Sequence, residues 1–367
     1  MINPLKGSET AVFRLRSLYE SKGYLHFKMS KFEEYDIYAE NKDFLAGENI
    51  ITFTDTDGRL MALKPDVTIS IIRNFRDSDG VTEKLYYNEN VYRSALGSHE
   101  IKELMQSGLE CIGDIDTYNT CEVISMAAMS LGSFERECVL DISHMGIISG
   151  VIDSLNVSDF VKKELIRCVG AKNTHEIREL LGDKADCLIS LLNLDPDPDK
   201  AVAALEGLAG SRSLSAGILE SIGELKSILD VLKNEEFYKN LRIDFSVVQD
   251  ITYYNGIVFQ GFINGIPEKI LTGGRYDLLM RRMGKKGGAI GFGINIDLLE
   301  RVLDKPDEFD ADIAVIYHDG DDPGALVRLS ERLCRQGLRV AMIRKPSERA
   351  KYRHVVHFGE EGYSDVR

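Results

Sequence analysis

VYRSALGSHEIKELMQSGLECIG, residues 91–113, sets a carboxylate inside an otherwise apolar strand pattern. Within it SGLECIGD (107–114) reads as a strand. LYYNENVYR (85–93) reads as another, and a polar segment from Ser94 to Gln106 joins the two. Even spacing puts Gln106 and Glu110 on one face. A carboxylate among Leu109, Cys111 and Ile112 is costly to bury without a partner. Glu110 therefore implies either a ligand or an internal ion pair, which Arg93 could supply.

Toward the N-terminus, IITFTDTDGRLMALKPD (50–66) alternates apolar and polar residues around Asp57-Gly58, a hairpin signal. LKPDVT (63–68) then places Asp66 and Thr68 two apart at the end of a strand. A carboxylate and a hydroxyl there suit a substrate ammonium group. Asp66 equally suits the cap of a helix over Thr68–Phe75. Residues 10–22 carry helical spacing, and GYLHFKMSKFEEYDIY (23–38) reads as a strand entering a turn.

Toward the C-terminus come a helix over 118–131 and a strand, ECVLDISH (137–144). Residues 153–236 are rich in Leu, Lys, Glu and Ala without strand alternation, which predicts a helical insertion turning at NLDPDPDK. Strand patterns resume at LRIDFSVV (241–248), YYNGIVFQGFI (253–263) and EKILTGGRYD (268–277), and GGAIGFGINIDLLERVL (287–303) is a strand entering a helix. Tyr253-Tyr254 and Gly273-Gly274 fit either ligand contact or plain packing. After a linker at Pro306–Asp310, DIAVIYHDG, ALVRLSERLCRQG and LRVAMIRK predict a β-α-β unit. The whole reads as an α+β core over 1–305 with a short α/β domain over 309–367.

Composition limits the function classes. The net charge of -14 and pI of about 5.1, with only short basic clusters, argue mildly against wrapping a polyanion. No apolar run is long enough for a membrane span, and the N-terminus lacks an apolar leader, so a cytoplasmic location is expected. Six cysteines without a CxxC pair read as reduced thiols. His354 and His357 have metal-like spacing but read as surface, so neither metal nor cofactor is expected.

Taken in order, these segments resemble the histidyl-tRNA synthetase family of class II synthetases over about residues 5–305. The resemblance implies an antiparallel sheet flanked by helices. It also implies a histidine pocket in which Asp66, Thr68, Gln106 and Glu110 hold the ammonium, Tyr253 and Tyr254 flank the imidazole, and Gly273, Gly274 and Tyr276 form a wall.

The ATP side departs from the family pattern. Gln249 and Leu298 stand where catalytic arginines are expected, and Ala95 stands where a glutamate is expected. Arg301 lies three residues beyond Leu298, while Arg93 and Lys102 remain as a residual ATP site. Losing one preorganised charge-stabilising contact costs about 10²–10³ in rate, so several losses leave little adenylation. The resemblance therefore implies a non-catalytic regulatory subunit of the short-form ATP phosphoribosyltransferase kind. Such a subunit is a homodimer that binds histidine and joins a short catalytic subunit in a hetero-octamer. A divergent histidyl-tRNA synthetase and another synthetase paralogue are the alternatives. Too few residues follow Pro306 for a complete RNA-reading domain, so tRNA is not an expected partner.

Overall fold

The computed structural model describes residues 6–41, 48–95, 100–211, 214–248, 254–303 and 308–359. The chain divides into two compact units, Ser8–Val302 and a smaller one of Leu303–Arg367 with the first seven residues.

The larger unit begins with α1 (Gly7–Ser21), which buries Ala11, Leu15 and Tyr19 at helical spacing. Strands β1 (Leu25–His26) and β2 (Phe32–Glu34), helix α2 (Asp36–Ala39), and strands β3 (Glu48–Asn49), β4 (Thr52–Thr54) and β5 (Leu60–Leu63) follow. β4 and β5 form the hairpin read from Asp57-Gly58, where Gly58 takes a φ of 83°. Helix α3 (Thr68–Asn74) leads to the two longest strands, β6 (Thr82–Ala95) and β7 (Ile101–Gly113). Next come α4 (Thr117–Gly132), β8 (Cys138–His144) and α5 (Met145–Ser154). Five helices follow: α6 (Asp159–Gly170), α7 (Thr174–Leu181), α8 (Asp186–Leu192), α9 (Pro198–Ser211) and α10 (Ala216–Leu232). The unit closes with β9 (Leu241–Ile243), β10 (Ile257–Ile263), β11 (Leu271–Arg275), α11 (Asp277–Arg282), β12 (Gly288–Asn295) and α12 (Ile296–Leu303).

Nine described strands form one mixed sheet in the order β1-β6-β7-β12-β11-β10-β8-β9, with β3 on the tip of β6. The pairs β1·β6 and β8·β9 are parallel, and the rest are antiparallel. The fold is α+β, with a second, three-stranded sheet β2-β5-β4 beside the main one.

The segment 94–106 differs from its reading as a polar connector. Ser94 and Ala95 belong to β6, and Ile101–Gln106 belong to β7, in register with Glu89–Ser94. The reason is exposure. The first residues of β7, Ile101, Lys102 and Glu103, are all exposed, and cross-strand bonds such as Tyr92 to Glu103 (3.0 Å) replace apolar burial. The apolar alternation that marks a half-buried strand is therefore missing there.

Helices cover both faces of the sheet. On one, Tyr19 of α1 meets Tyr86 and Phe292 with ring centroids 5.8 and 6.2 Å apart. On the other, Ile71 and Ile72 of α3 and Leu279 and Met280 of α11 pack with Tyr87, Val91, Ile112 and Tyr276.

The smaller unit holds β13 (Ala311–Ile316), α13 (Pro323–Arg335), β14 (Val340–Ile343) and β15 (Tyr352–His357), a parallel sheet in the order β14-β13-β15. β15 was not read from sequence, because YRHVVH carries only two apolar residues in a row. His354 and His357 lie on it, and His357 stacks on His318 at 5.8 Å.

Ile72 is fully buried in the cluster that supports Tyr87 and Tyr276. Ile72→Ala is expected to lower stability by about 2–5 kcal/mol, read as an earlier urea midpoint with unchanged slope.

Candidate functional site

Glu110 sits on β7 with 2% of its surface exposed. Across the ladder it faces Leu85 on one side and Gly291 on the other, and Gly291 in turn faces Gly274 of β11. Glu110, Gly291 and Gly274 thus share one face of the sheet, and Gly108 lies one step along that face. The glycines are required by space. A Cβ on Gly291 would stand 1.7 Å from Glu110 Oε2, and one on Gly108 would stand 2.6 Å from the Tyr87 hydroxyl. One on Gly274 would meet the Tyr254 ring at 2.9 Å. A floor without side chains lets the carboxyl lie flat beneath the residues above it.

Two hydroxyls hold that carboxyl. Thr68, in the first turn of α3, donates from Oγ1 to Oε1 at 2.7 Å, and the Tyr276 hydroxyl donates to Oε2. Burial pushes the Glu110 carboxyl up to about 8. The two hydroxyl donors pull the other way and only partly offset this, and the nearby Asp66 adds to the rise.

Asp66 precedes α3 and does two jobs. Its Oδ1 accepts from the Ile69 amide at 2.9 Å, the capping role, while Oδ2 lies 3.9 Å from the Arg93 guanidinium. Burial raises its carboxyl above the usual range, against the pull of Arg93 and of the Thr68 and Ile69 amides. Arg93 Nε also donates to the Pro65 carbonyl at 2.9 Å. Arg93 therefore serves Asp66 and the LKPD turn, and the bonds given to Glu110 come from hydroxyls. Two carboxyls with one guanidinium beside them form a setting that a further cation would balance.

Of the other residues read from sequence, Tyr254 meets Tyr276 edge to face, with centroids 6.4 Å apart. Gln106 is half-buried on the same face as Glu110, opposite Glu89 and Asn295. Gly273 turns its open side the other way, toward Phe259 and Phe292. Lys102 is exposed, directly across the β6–β7 ladder from Arg93. Tyr253 and Gln249 lie outside the described residues. Leu298 is half-buried on α12, and Arg301 pairs with Glu268 at 2.9 Å on the exposed surface.

Sequence reasoning missed Tyr87, whose hydroxyl lies over Gly108 and whose ionisation is pushed well up by burial and by Glu110 and Asp66. Tyr87 is on the same face of β6 as Arg93, but its place over Gly108 follows only from the cross-strand register. A separate cavity of about 620 Å³ opens at the far ends of these strands, beside Arg275, Asp277 and Lys286. It takes in neither Glu110 nor Thr68.

With this geometry in hand, the histidyl-tRNA synthetase family profile matches residues 5–299. The chain belongs to the histidyl-tRNA synthetase family. It is 29% identical over 359 residues to the ATP phosphoribosyltransferase regulatory subunit of Clostridium kluyveri, covering 95% of this chain and 88% of that one. An ATP phosphoribosyltransferase regulatory subunit/histidyl-tRNA synthetase from Bacillus halodurans superposes with a TM-score of 0.75 at 21% identity, over 97% of this chain and 98% of that one. A chain of the ATP phosphoribosyl transferase (HisG:HisZ) complex from Thermotoga maritima superposes with a TM-score of 0.62 at 19% identity, over 80% and 98%. These structural matches share the family fold. No helix among the described residues is long and apolar enough to cross a membrane.

Two outcomes follow from the carboxyl and its floor. Gly291→Ala should displace the Glu110 carboxyl and cost about 1–3 kcal/mol by overpacking, measured by urea unfolding. A carboxyl raised to about 8 stays protonated in the folded chain while the unfolded one ionises above its ordinary value of 4.5. The folded chain then holds the extra proton, so stability falls as pH rises between those values. Glu110→Gln should flatten that slope, and an unchanged slope would reject the assignment.

Proposed function

We propose that this chain is a non-catalytic regulatory subunit of ATP phosphoribosyltransferase that binds free histidine and joins a short catalytic subunit. The observation that carries the reading is the Glu110 site. Among the described residues a buried carboxyl is held by the Thr68 and Tyr276 hydroxyls, with Asp66 nearby, and it suits an incoming ammonium group. The ligand's amino group supplies the missing positive charge, and Tyr254 with Tyr276 offers an aromatic wall for an imidazole. Gln106, Gly273, Gly274 and Tyr253 complete the proposed pocket, with Arg93 and Lys102 left as an incomplete ATP site.

The proposed absence of catalysis rests on side chains. Gln249 and Leu298 cannot stabilise a developing pentavalent phosphate as a guanidinium does. Arg301, the nearest substitute, is engaged by Glu268. Each lost contact of that kind costs about 10²–10³ in rate. The similarity to named regulatory subunits and to a chain of the Thermotoga maritima complex supports a catalytic partner. Feedback by histidine then requires different histidine affinity in active and inhibited assemblies. A cytoplasmic homodimer within a hetero-octamer, without tRNA, is part of the same proposal.

Calorimetry tests the binding half. Histidine should bind saturably, and Glu110→Ala should weaken it by at least about tenfold. Unchanged affinity removes the site. Robust histidine-dependent pyrophosphate exchange by the purified chain would instead restore a working synthetase.

The pH dependence has a definite sign. Binding an ammonium beside Glu110 favours its ionised form, so a proton leaves on binding below about pH 8. Histidine affinity should rise from pH 6 to 8, and the binding heat should vary with the buffer's ionisation enthalpy. A pH-independent affinity would contradict this coupling.

A further inference from the structure

The smaller unit has a cavity of its own. It measures about 600 Å³ and lies beyond the carboxyl ends of β13 and β14, roofed by α13. From β13 the chain crosses by α13 to β14, and the cavity lies beneath that crossover, between the loop after β13 and the end of β14. The volume is in the range of small-molecule sites, about 300–1,000 Å³.

Its walls narrow the ligand class. Pro323, Leu326, Val327 and Met342 supply apolar surface, and Tyr317 presents a ring with the Arg344 guanidinium 5.8 Å from its centre. Val327 is 58% exposed, although it is a large apolar residue on a helix. The rim carries Asp319, Asp321 and Glu331 against Arg344. Asp319 pairs with Arg344 at 2.9 Å, Glu331 pairs with Arg335 at 3.3 Å, and Asp321 accepts from the His318 amide at 2.7 Å. Each carboxylate keeps further acceptor lone pairs. The first amides of α13 are not offered to an anion either. Asp322 takes those of Gly324 and Ala325, each at 3.0 Å. A phosphate would meet carboxylates and a helix end already capped. A flat ring bearing N–H donors would meet an apolar slot with carboxylate acceptors at its edge.

We propose that this cavity is a binding site for a phosphate-free heteroaromatic amine of nucleoside size. The site is separate from the Glu110 pocket and does not depend on how that pocket is used.

Adenosine and AMP are the probes, since they share a ring and differ by the phosphate. In titrations of the full chain at low ionic strength, adenosine should saturate at one per chain. AMP should bind at least about tenfold more weakly. Val327→Trp fills the cavity from an exposed helix position, and it should cut adenosine affinity at least tenfold while leaving the far-UV spectrum and histidine titration as in the parent chain. Tyr317→Ala should weaken adenosine as well. AMP binding as tightly as adenosine would overturn the proposal. So would adenosine binding that both variants leave intact, or an RNA oligonucleotide that binds when adenosine does not.

Discussion

Burying a carboxyl under a sheet-covering helix constrains everything around Glu110. The group must be neutral or be met by donors, and the described partners are two hydroxyls. Those hydroxyls come from distant parts of the chain, Thr68 at the start of α3 and Tyr276 just after β11. Both α3 and the β11–α11 turn must therefore close on the same face of β7. The apolar residues behind them, Ile72 and Leu279 among them, supply the packing that keeps this closure in place.

The glycines of the central strands follow from the same constraint. A sheet face that lodges a carboxyl and two tyrosine rings close to its backbone has no room for Cβ atoms at Gly108, Gly274 and Gly291. Stripping side chains from one face removes burial there, and the opposite face compensates with large rings. Phe292 meets both Tyr19 and Phe259, at 6.2 and 6.4 Å between centroids. Gly273 belongs to this second face, where its lack of a Cβ leaves space for the Phe259 ring. Adjacent glycines in one motif thus serve opposite sides of the sheet, as strand alternation requires.

Much of this was legible in the sequence, for reasons that also explain what was not. Glu110 stood out because a charge inside an apolar strand breaks a pattern. Helix α4 and strands β8 and β12 were readable because their burial is strongly periodic or complete. Asp66 was readable as the cap of α3, which it is, whereas Arg93, read as a partner for Glu110, faces Asp66 instead. The tip of the β6–β7 ribbon was hidden because it is held by polar cross-strand bonds, and pattern reading follows apolar burial. Tyr87 was hidden because its role depends on Gly108 and Gly293 lying beneath it, a relation set by pairing across three strands.

The fold cannot decide between activating an amino acid and sensing it, because the family likeness accommodates both. The decision rests on charge. Adenylation needs positive groups that meet a phosphate as its negative charge grows, and they must be free to do so. Recognition of a free amino acid needs negative groups that meet an ammonium, and they must be buried enough for that meeting to matter. On the proposed reading Glu110, with Asp66 near it, serves the second requirement, since burial raises both carboxyls. Arg301, on the same reading, does not serve the first, since it pairs with Glu268 on the exposed surface. On the proposed reading, a neutral buried carboxyl that ionises on meeting an ammonium would hold the amino acid without driving the next step. Its binding energy then remains for shifting an assembly between states.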